Sequence, residues 1–411
     1  MADASIDPVV IVGAGQAGAW VAATLRKLDP DRPIVMIGEE PVAPYERPPL
    51  SKAFLAGFSG IESAFIQPPS FYAENAIDLR LGQRVEAIDR GSRHVVLADG
   101  SRLAYGRLVL ATGCRPRRLA VPGADLPIVH VLRTTAHADA IRKGLVKARR
   151  VVAVGAGFIG LEVAAVARRM GCDVTVVESA AGALGRMVAP AVAREIAQMH
   201  ERQGVRFRFG VGVSAIGQAG TRAEVVLSDG SSFPADLVVV GIGAQPETAL
   251  AEAAGLACGN GILVDEVGMS SDPAIFAAGD VANHYNPLLD RRLRLESWQN
   301  AQNQGIAVGR TLAGQPSPYA EIPWFWTDQF DWNVQIVGAA EQWDRLVWRG
   351  DPASGQATVF YLKDEAIVAA NMINSPRDVR PVRKLMASGS RVSTSDLEDR
   401  SRSLGELSKA G

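Results

Sequence analysis

Residues 8–20 read PVVIVGAGQAGAW, and residues 150–178 read RVVAVGAGFIGLEVAAVARRMGCDVTVVE. Each begins as an apolar run of strand length and breaks into glycines at the same offsets, Gly13, Gly15 and Gly18 against Gly155, Gly157 and Gly160. Each then continues with the periodicity of a helix and reaches a second apolar run that ends in an acid. That acid is Glu39 (or its neighbour Glu40) after IVMIG in the first stretch, and Glu178 in the second. A lone G-x-G-x-x-G says little, but strand, glycine turn, helix, strand and acid in sequence define a dinucleotide-binding unit. The first glycine makes the tight turn, the second lets backbone approach a pyrophosphate, and the third lets helix and strand pack closely. The phosphates then rest on N–H groups at the helix N-terminus. Ala14, Gln16 and Ala17 fill the first turn, and Phe158 and Ile159 fill the second.

The duplication continues downstream. HVVLADGSRLAYGRLVLATG (94–113) parallels EVVLSDGSSFPADLVVVGIG (224–243). Each predicts a hairpin with an Asp-Gly turn and then an apolar strand closed by glycine, at Ala111-Thr112-Gly113 and at Gly241-Ile242-Gly243. The chain therefore carries two copies of one nucleotide-binding plan. After Glu178 come Ser179, Ala180, Ala181 and Gly182, with Arg186 the nearest cation, a pattern that favours NADH over NADPH in the second copy. The copies diverge at the second residue beyond the third glycine, where the first has Trp20 and the second Glu162. Glu162 fits two roles: an acid stabilising the first helical turn, or a group beside the reactive end of a bound nicotinamide.

The stretch YERPPLSK (45–52) predicts a helix start at its two prolines and sets Lys52 near the positive end of that helix. A solvated loop lysine and a lysine committed to a site are both compatible with that pattern. Further on, IFAAGDV (275–281) is a short strand ending in Gly279-Asp280, and a helix is expected from about Trp298. After Pro316–Pro318 the character changes. PWFWTDQFDWNVQIVG (323–338) crowds aromatic rings together, several strand-like runs follow, and SPRDVRPVRKLM (375–386) begins a helix. This is a third, α+β module, ended by a Ser-rich and charged tail.

The bulk numbers exclude several classes. The chain has 411 residues, 47% hydrophobic and 21% charged, with 43 basic against 44 acidic side chains. That length asks for two or three domains, and the charge balance argues against a general nucleic-acid binder. The start, MADASIDP, lacks the apolar core of a secretory signal, and no run of about 18 apolar residues suggests a membrane span. The expected location is cytoplasmic. Cys114, Cys172 and Cys258 are far apart and form no CxxC pair, so neither a disulfide nor a metal site is expected and each reads as a small buried hydrophobe.

Taken in order, PVVIVGAGQAG, YERPPLSK, LVLATG, VLRTT, GAGFIGLE, VVVGIG, AAGDV, ESWQNAQNQG and PWFWTDQ resemble the ferredoxin reductases of bacterial oxygenase systems. These are FAD-dependent pyridine-nucleotide oxidoreductases of glutathione-reductase type. The likeness runs over nearly the whole chain and is strongest to the reductases of biphenyl-type Rieske dioxygenase and putidaredoxin systems, which serve aromatic-hydrocarbon and related catabolism. It implies an α/β fold with two Rossmann-like domains and a C-terminal α+β domain. Residues 1–113 and 244–318 would bind FAD, 114–243 would bind NADH, and 319–411 would form the third domain. It implies that Lys52 lies beside flavin N5 with Glu162 as its counter-ion, and that Asp280 holds the ribitol chain. Arg47 and Arg133 match flavin-phosphate or flavin-edge contacts, Val85, Thr112 and Trp298 match flavin-lining positions, and Trp326 matches a ring laid against the isoalloxazine. Trp324 is expected in the core. Cys114 has no counterpart role in the family.

The implied activity is electron transfer from NADH through FAD, one electron at a time, to a [2Fe–2S] ferredoxin. A disulfide- or peroxide-reducing relative would need a redox cysteine between Pro41 and Lys52, where there is none. A signalling flavoprotein resembling apoptosis-inducing factor would ask for a targeting segment or a basic nucleic-acid face. Arg291, Arg292 and Arg294, with Arg377, Arg380, Arg383 and Lys384, are candidates for a basic rim that meets an acidic ferredoxin. Oligomeric state is not legible.

Overall fold

The computed structural model describes residues 7–185, 187–219, 222–339 and 341–410. The chain forms two compact units, each assembled from separated segments. The first holds residues up to 46, 61–115 and 245–323, and the second holds 47–60, 116–244 and 324 onward.

The first unit is built on a parallel sheet in the order Ile275–Ala277, Arg107–Leu110, Val9–Val12, Ile34–Gly38, Ile77–Leu81. Its central strand is buried throughout, as a parallel strand covered on both faces must be. Helix Gln16–Leu28 follows that strand and packs on helix Trp298–Leu312 at two glycines. A Cβ at Gly305 would stand 2.6 Å from the carbonyl of Ala17, and one at Gly309 2.8 Å from Cβ of Thr24.

The second unit repeats the sheet in the order Arg206–Phe209, Asp173–Glu178, Arg150–Val154, Leu237–Val240, Val129–Val131, again parallel. Each unit also carries a three-stranded antiparallel meander, with a bulge between Val85 and Ala87 in one and between Val213 and Ala215 in the other. The Asp-Gly turns form as the sequence predicts. Asp99 accepts from the N–H of Ser101 at 2.9 Å, and Asp229 from that of Ser231 at 3.0 Å.

The C-terminal module lies in the second unit as a five-stranded antiparallel sheet, ordered Trp324–Gln329, Trp332–Gly338, Ala366–Ile373, Gln356–Lys363, Arg345–Asp351. Helix Val379–Ser388 packs on it, and the charged tail forms the short helices Thr394–Glu398 and Leu404–Ala410. Among the described residues no helix is long and apolar enough to cross a membrane. Cys114 and Cys172 are buried and Cys258 is half-buried; all three are free thiols.

Candidate active site

The two glycine turns superimpose in their logic. A Cβ on Gly13 would stand 2.2 Å from the carbonyl of Ala111, and one on Gly18 2.0 Å from that of Gly13. In the second turn Gly155 would meet the carbonyl of Gly241 at 2.5 Å, and Gly160 that of Gly155 at 1.9 Å. These glycines are closed in by their own chain. The middle ones are not: nothing lies within 4 Å of a Cβ on Gly15, and only the Gly241 carbonyl, at 3.7 Å, comes near one on Gly157. Gly15 and Gly157 are the N-caps of their helices, with no side-chain cap and no acid in the first turn. Each turn thus presents uncapped N–H groups to open space, the arrangement that receives a phosphate.

Around the first turn, Gln16 turned with its amide oxygen inward accepts from the indole N–H of Trp20 and of Trp298, at 3.3 and 3.1 Å. Gly279 donates to Oε1 of Gln304 at 2.9 Å, and the buried Gln304 Nε2 and Asn300 Oδ1 have no protein partner among the described residues. Thr112 is tied to the carbonyl of Glu247 at 2.9 Å, and Val85 is buried on its meander strand. Cys114 lies under Asp280, its thiol 3.4 Å from that residue's carbonyl. In the second turn Glu178 is tied down: Oε2 accepts from the N–H of Ala156 and Oε1 from that of Ala180, each at 2.8 Å. Glu39 is exposed and reaches Arg84 at 3.4 Å. Arg186 lies outside the described residues.

Lys52 is not at a helix start. The prolines form a single 3₁₀ turn, Pro48–Ser51, and Lys52 is its C-cap. The turn is too short to extend past Ser51, so the lysine sits at the negative end, where a cation is favoured. Its Nζ lies 2.8 Å from Oε1 of Glu162. Glu162 is not in a first turn either: helix Phe158–Arg169 places it at the fifth position, 3% exposed. The dipole role therefore falls away. The carboxylate gathers three donors, Lys52 and Thr327 (2.6 Å) on Oε1 and the hydroxyl of Ser51 on Oε2. A buried carboxylate held this way is compensated, and removing one partner would strand charge in a low dielectric. Arg47, N-terminal neighbour of the same 3₁₀ turn, donates to the carbonyl of Arg133. Trp324 is half-buried rather than in the core, because it shares the outward face of its strand with Trp326 and stacks on it at 5.3 Å. Its indole N–H is met by Gln335 at 2.6 Å.

Residues 7–305 match the family model for pyridine nucleotide-disulphide oxidoreductases, and residues 324–408 the reductase C-terminal model. The chain belongs to the pyridine nucleotide-disulphide oxidoreductases. It is 46% identical over 396 residues to the anthranilate 1,2-dioxygenase system ferredoxin–NAD(+) reductase component of Burkholderia cepacia, covering 96% of this chain and 98% of that one. It is 39% identical over 407 residues to putidaredoxin reductase of Pseudomonas putida, covering 98% and 96%. Among solved structures it matches the covalent putidaredoxin reductase–putidaredoxin complex with a TM-score of 0.94, at 39% identity and 98% coverage of each chain. FAD and NADH are the cofactors of this oxidoreductase family. The open Gly15 and Gly157 turns, the orphaned amide atoms of Asn300 and Gln304, and the pre-held Glu178 fit two dinucleotides.

The sequence left several of these residues unremarked. Ser51 stands next to Lys52 in the motif, and Thr327 and Gln329 flank Asp328 on the face of strand Trp324–Gln329 opposite Trp324 and Trp326. Their alternation was the available signal. Two arginines of the expected rim are spent within their own unit. Arg292 donates to the carbonyls of Val264 and Asn283, and Arg294 to Asn260, Glu296 and the carbonyl of Asp280. Arg377, Arg380 and Lys384 are exposed. No cluster of metal-ligating side chains occurs among the described residues.

Proposed function

We propose that this oxidoreductase is a cytoplasmic, NADH-dependent ferredoxin reductase that carries FAD and supplies an oxygenase, either a Rieske dioxygenase or a haem-thiolate monooxygenase. In this reading FAD belongs to residues 1–113 and 244–318, NADH to 114–243, and residues 319–411 form the third domain and contribute to the partner face. The observation that carries it is the Lys52–Glu162 pair at 2.8 Å, whose carboxylate is buried on the helix of the second glycine turn, in a chain with no cysteine between Pro41 and Lys52. FAD held by these residues would supply the chemistry of two-electron reduction by NADH and one-electron release to a ferredoxin.

The chain's own residues do the positioning. Backbone N–H groups at Gly15–Gly18 and Gly157–Gly160 hold the two pyrophosphates, with Ala111–Gly113 and Gly241–Gly243 as the opposing strand ends. Glu178, already oriented by two backbone donors, offers its remaining lone pairs to ribose hydroxyls. Asp280 is assigned to the ribitol chain, Arg47 and Arg133 to the flavin phosphates or the flavin edge, and Trp326 and Trp298 to its walls. Lys52 holds a fixed positive charge at the redox centre, where preorganised charge is most effective. Arg377, Arg380, Arg383 and Lys384, with Arg291, are the cations we assign to steering an acidic partner.

Steady-state NADH oxidation with ferricyanide and with a [2Fe–2S] ferredoxin tests the reading. Turnover with both acceptors, and slower turnover with NADPH, is the expected result. NADPH outperforming NADH, or no transfer to any ferredoxin of the same cell, would overturn it.

A further inference from the structure

Behind Glu162 runs a row of buried polar side chains that the redox reading leaves without a task. On strand Trp324–Gln329 the inward face carries Phe325, Thr327 and Gln329. The ring of Phe325 lies 4.3 Å from that of Phe158, and Thr327 Oγ1 lies 2.6 Å from Glu162 Oε1. One helical turn from Phe158 to Glu162 rises about 6 Å, close to the roughly 6.8 Å between alternate strand residues, so the two rows match step for step. Gln329 Nε2 continues the row to Thr327 Oγ1 at 3.1 Å, and His200 Nε2 meets Gln329 Oε1 at 2.9 Å. Thr327, Gln329 and His200 are each 0% exposed.

Proton counting gives the row one sense. Thr327 has a single hydroxyl hydrogen and gives it to the carboxylate, so it must accept from the Gln329 amide. The amide oxygen then faces His200, whose Nε2 must donate, which leaves Nδ1 bare. Nδ1 of His200 indeed has no partner among the described residues. Apolar burial, between the edge-on rings of Phe207 and Phe330 at 6.0 and 5.0 Å, keeps this imidazole neutral. Sheet pairing does not need these groups, and buried polar groups are destabilising unless every one is satisfied.

We propose that Thr327 and Gln329 are positioning residues for hydride transfer: with His200 as the fixed end, they hold Glu162 Oε1 where it grips Lys52. Oε1 is the atom shared by Thr327 and Lys52, so the C-terminal sheet sets the geometry of a pair that lies outside it. The inference rests on the ferredoxin-reductase reading and adds to it the role of the third module.

Thr327→Val keeps the side chain's shape and removes its hydroxyl. In stopped-flow reduction of the FAD-loaded protein by NADH, it is expected to slow hydride transfer about tenfold, with Thr327→Ser within about twofold of the parent. The double variant Glu162→Gln with Thr327→Val should be no slower than Glu162→Gln alone, because the hydroxyl acts only through the carboxylate. A crystal structure of Thr327→Val should show the Lys52–Glu162 contact lengthened beyond hydrogen-bond range. A Thr327→Val rate within about twofold of the parent, additive effects in the double variant, or an unmoved carboxylate would each overturn the proposal. If Thr327→Val does not accumulate folded, Gln329→Met enters the same cycle under the same criteria. A parent protein inert toward NADH would sink the underlying reading instead, and the crystal structure would still decide whether Thr327 holds the carboxylate.

Discussion

In the copy that opens with Val9–Val12, the acid Glu39 that follows strand Ile34–Gly38 is exposed and, among the described residues, reaches Arg84 at 3.4 Å. In the copy that opens with Arg150–Val154, Glu178 at the end of strand Asp173–Glu178 is held by the backbone N–H groups of Ala156 and Ala180 at 2.8 Å each. Two residues past the third glycine, the first copy has a half-buried Trp20, while the second has Glu162, 3% exposed with three donors. The backbones are the same device twice, down to carbonyls that would meet an added Cβ at 2.0 and 1.9 Å. In the proposed reading the glycine turn receives a dinucleotide, whereas the side chains on its helix and next strand decide which one and for what.

The comparison breaks most severely at the glycines. Gly18→Ala and Gly160→Ala would each drive a Cβ into a backbone carbonyl, and neither variant is expected to accumulate as folded protein. Gly15→Ala and Gly157→Ala meet open space and should fold normally. The first should then lose flavin during purification; the second should keep its flavin and show a raised KM for NADH. Flavin-to-protein ratio and KM separate these outcomes, and flavin loss from both would mean the two turns are not specialised.

Next in size is Lys52→Ala, expected to slow reduction by NADH about 10²-fold while flavin stays bound, since a preorganised charge is removed from the redox centre. Smaller is the contrast between the two acids. Glu178→Ala should weaken NADH binding about tenfold, whereas Glu39→Ala should weaken flavin binding only a few-fold, in proportion to how loosely each is held. Calorimetric titration of each nucleotide measures both.

The smallest effect compares the units through their buried histidines, His284 in the first and His200 in the second. Burial brings each down to about 4, with the Arg292 guanidinium adding to the effect at His284. Between that value and about 6.5 the unfolded chain takes up a proton that the folded one refuses. Stability is therefore full above about pH 6.5 and falls as the pH is lowered toward 4, by about 1.4 kcal/mol per pH unit for each histidine. Urea midpoints from pH 7 to 5 check the slope, and His284→Leu should remove one histidine's share.

The glycine turns were legible in the sequence because their cause is local: a Cβ at four of the six positions strikes the chain's own backbone. The Asp-Gly hairpins were legible for the same reason. The Lys52–Glu162 pair spans 110 positions and came only through family resemblance. Ser51, Thr327, Gln329 and His200 were not read at all, because their role depends on which strand face meets which helix. Lys52 lies at the C-terminal end of a single 3₁₀ turn rather than at a helix start, because two prolines mark where a turn opens but not how far it extends. Trp324 is not in the core although the sequence reading put it there: alternation groups it with Trp326, and periodicity alone cannot say which face of the strand turns outward.

The central claim is that a lysine anchored by a buried carboxylate governs hydride transfer between two nucleotides held by duplicated turns. Anaerobic mixing of the flavin-loaded protein with NADH, followed by flavin bleaching in the parent and in Lys52→Ala, tests it most directly. The account predicts fast bleaching in the parent and slow bleaching in a variant that still holds its flavin. Equal rates in the two proteins, or a parent that NADH does not bleach, would contradict it.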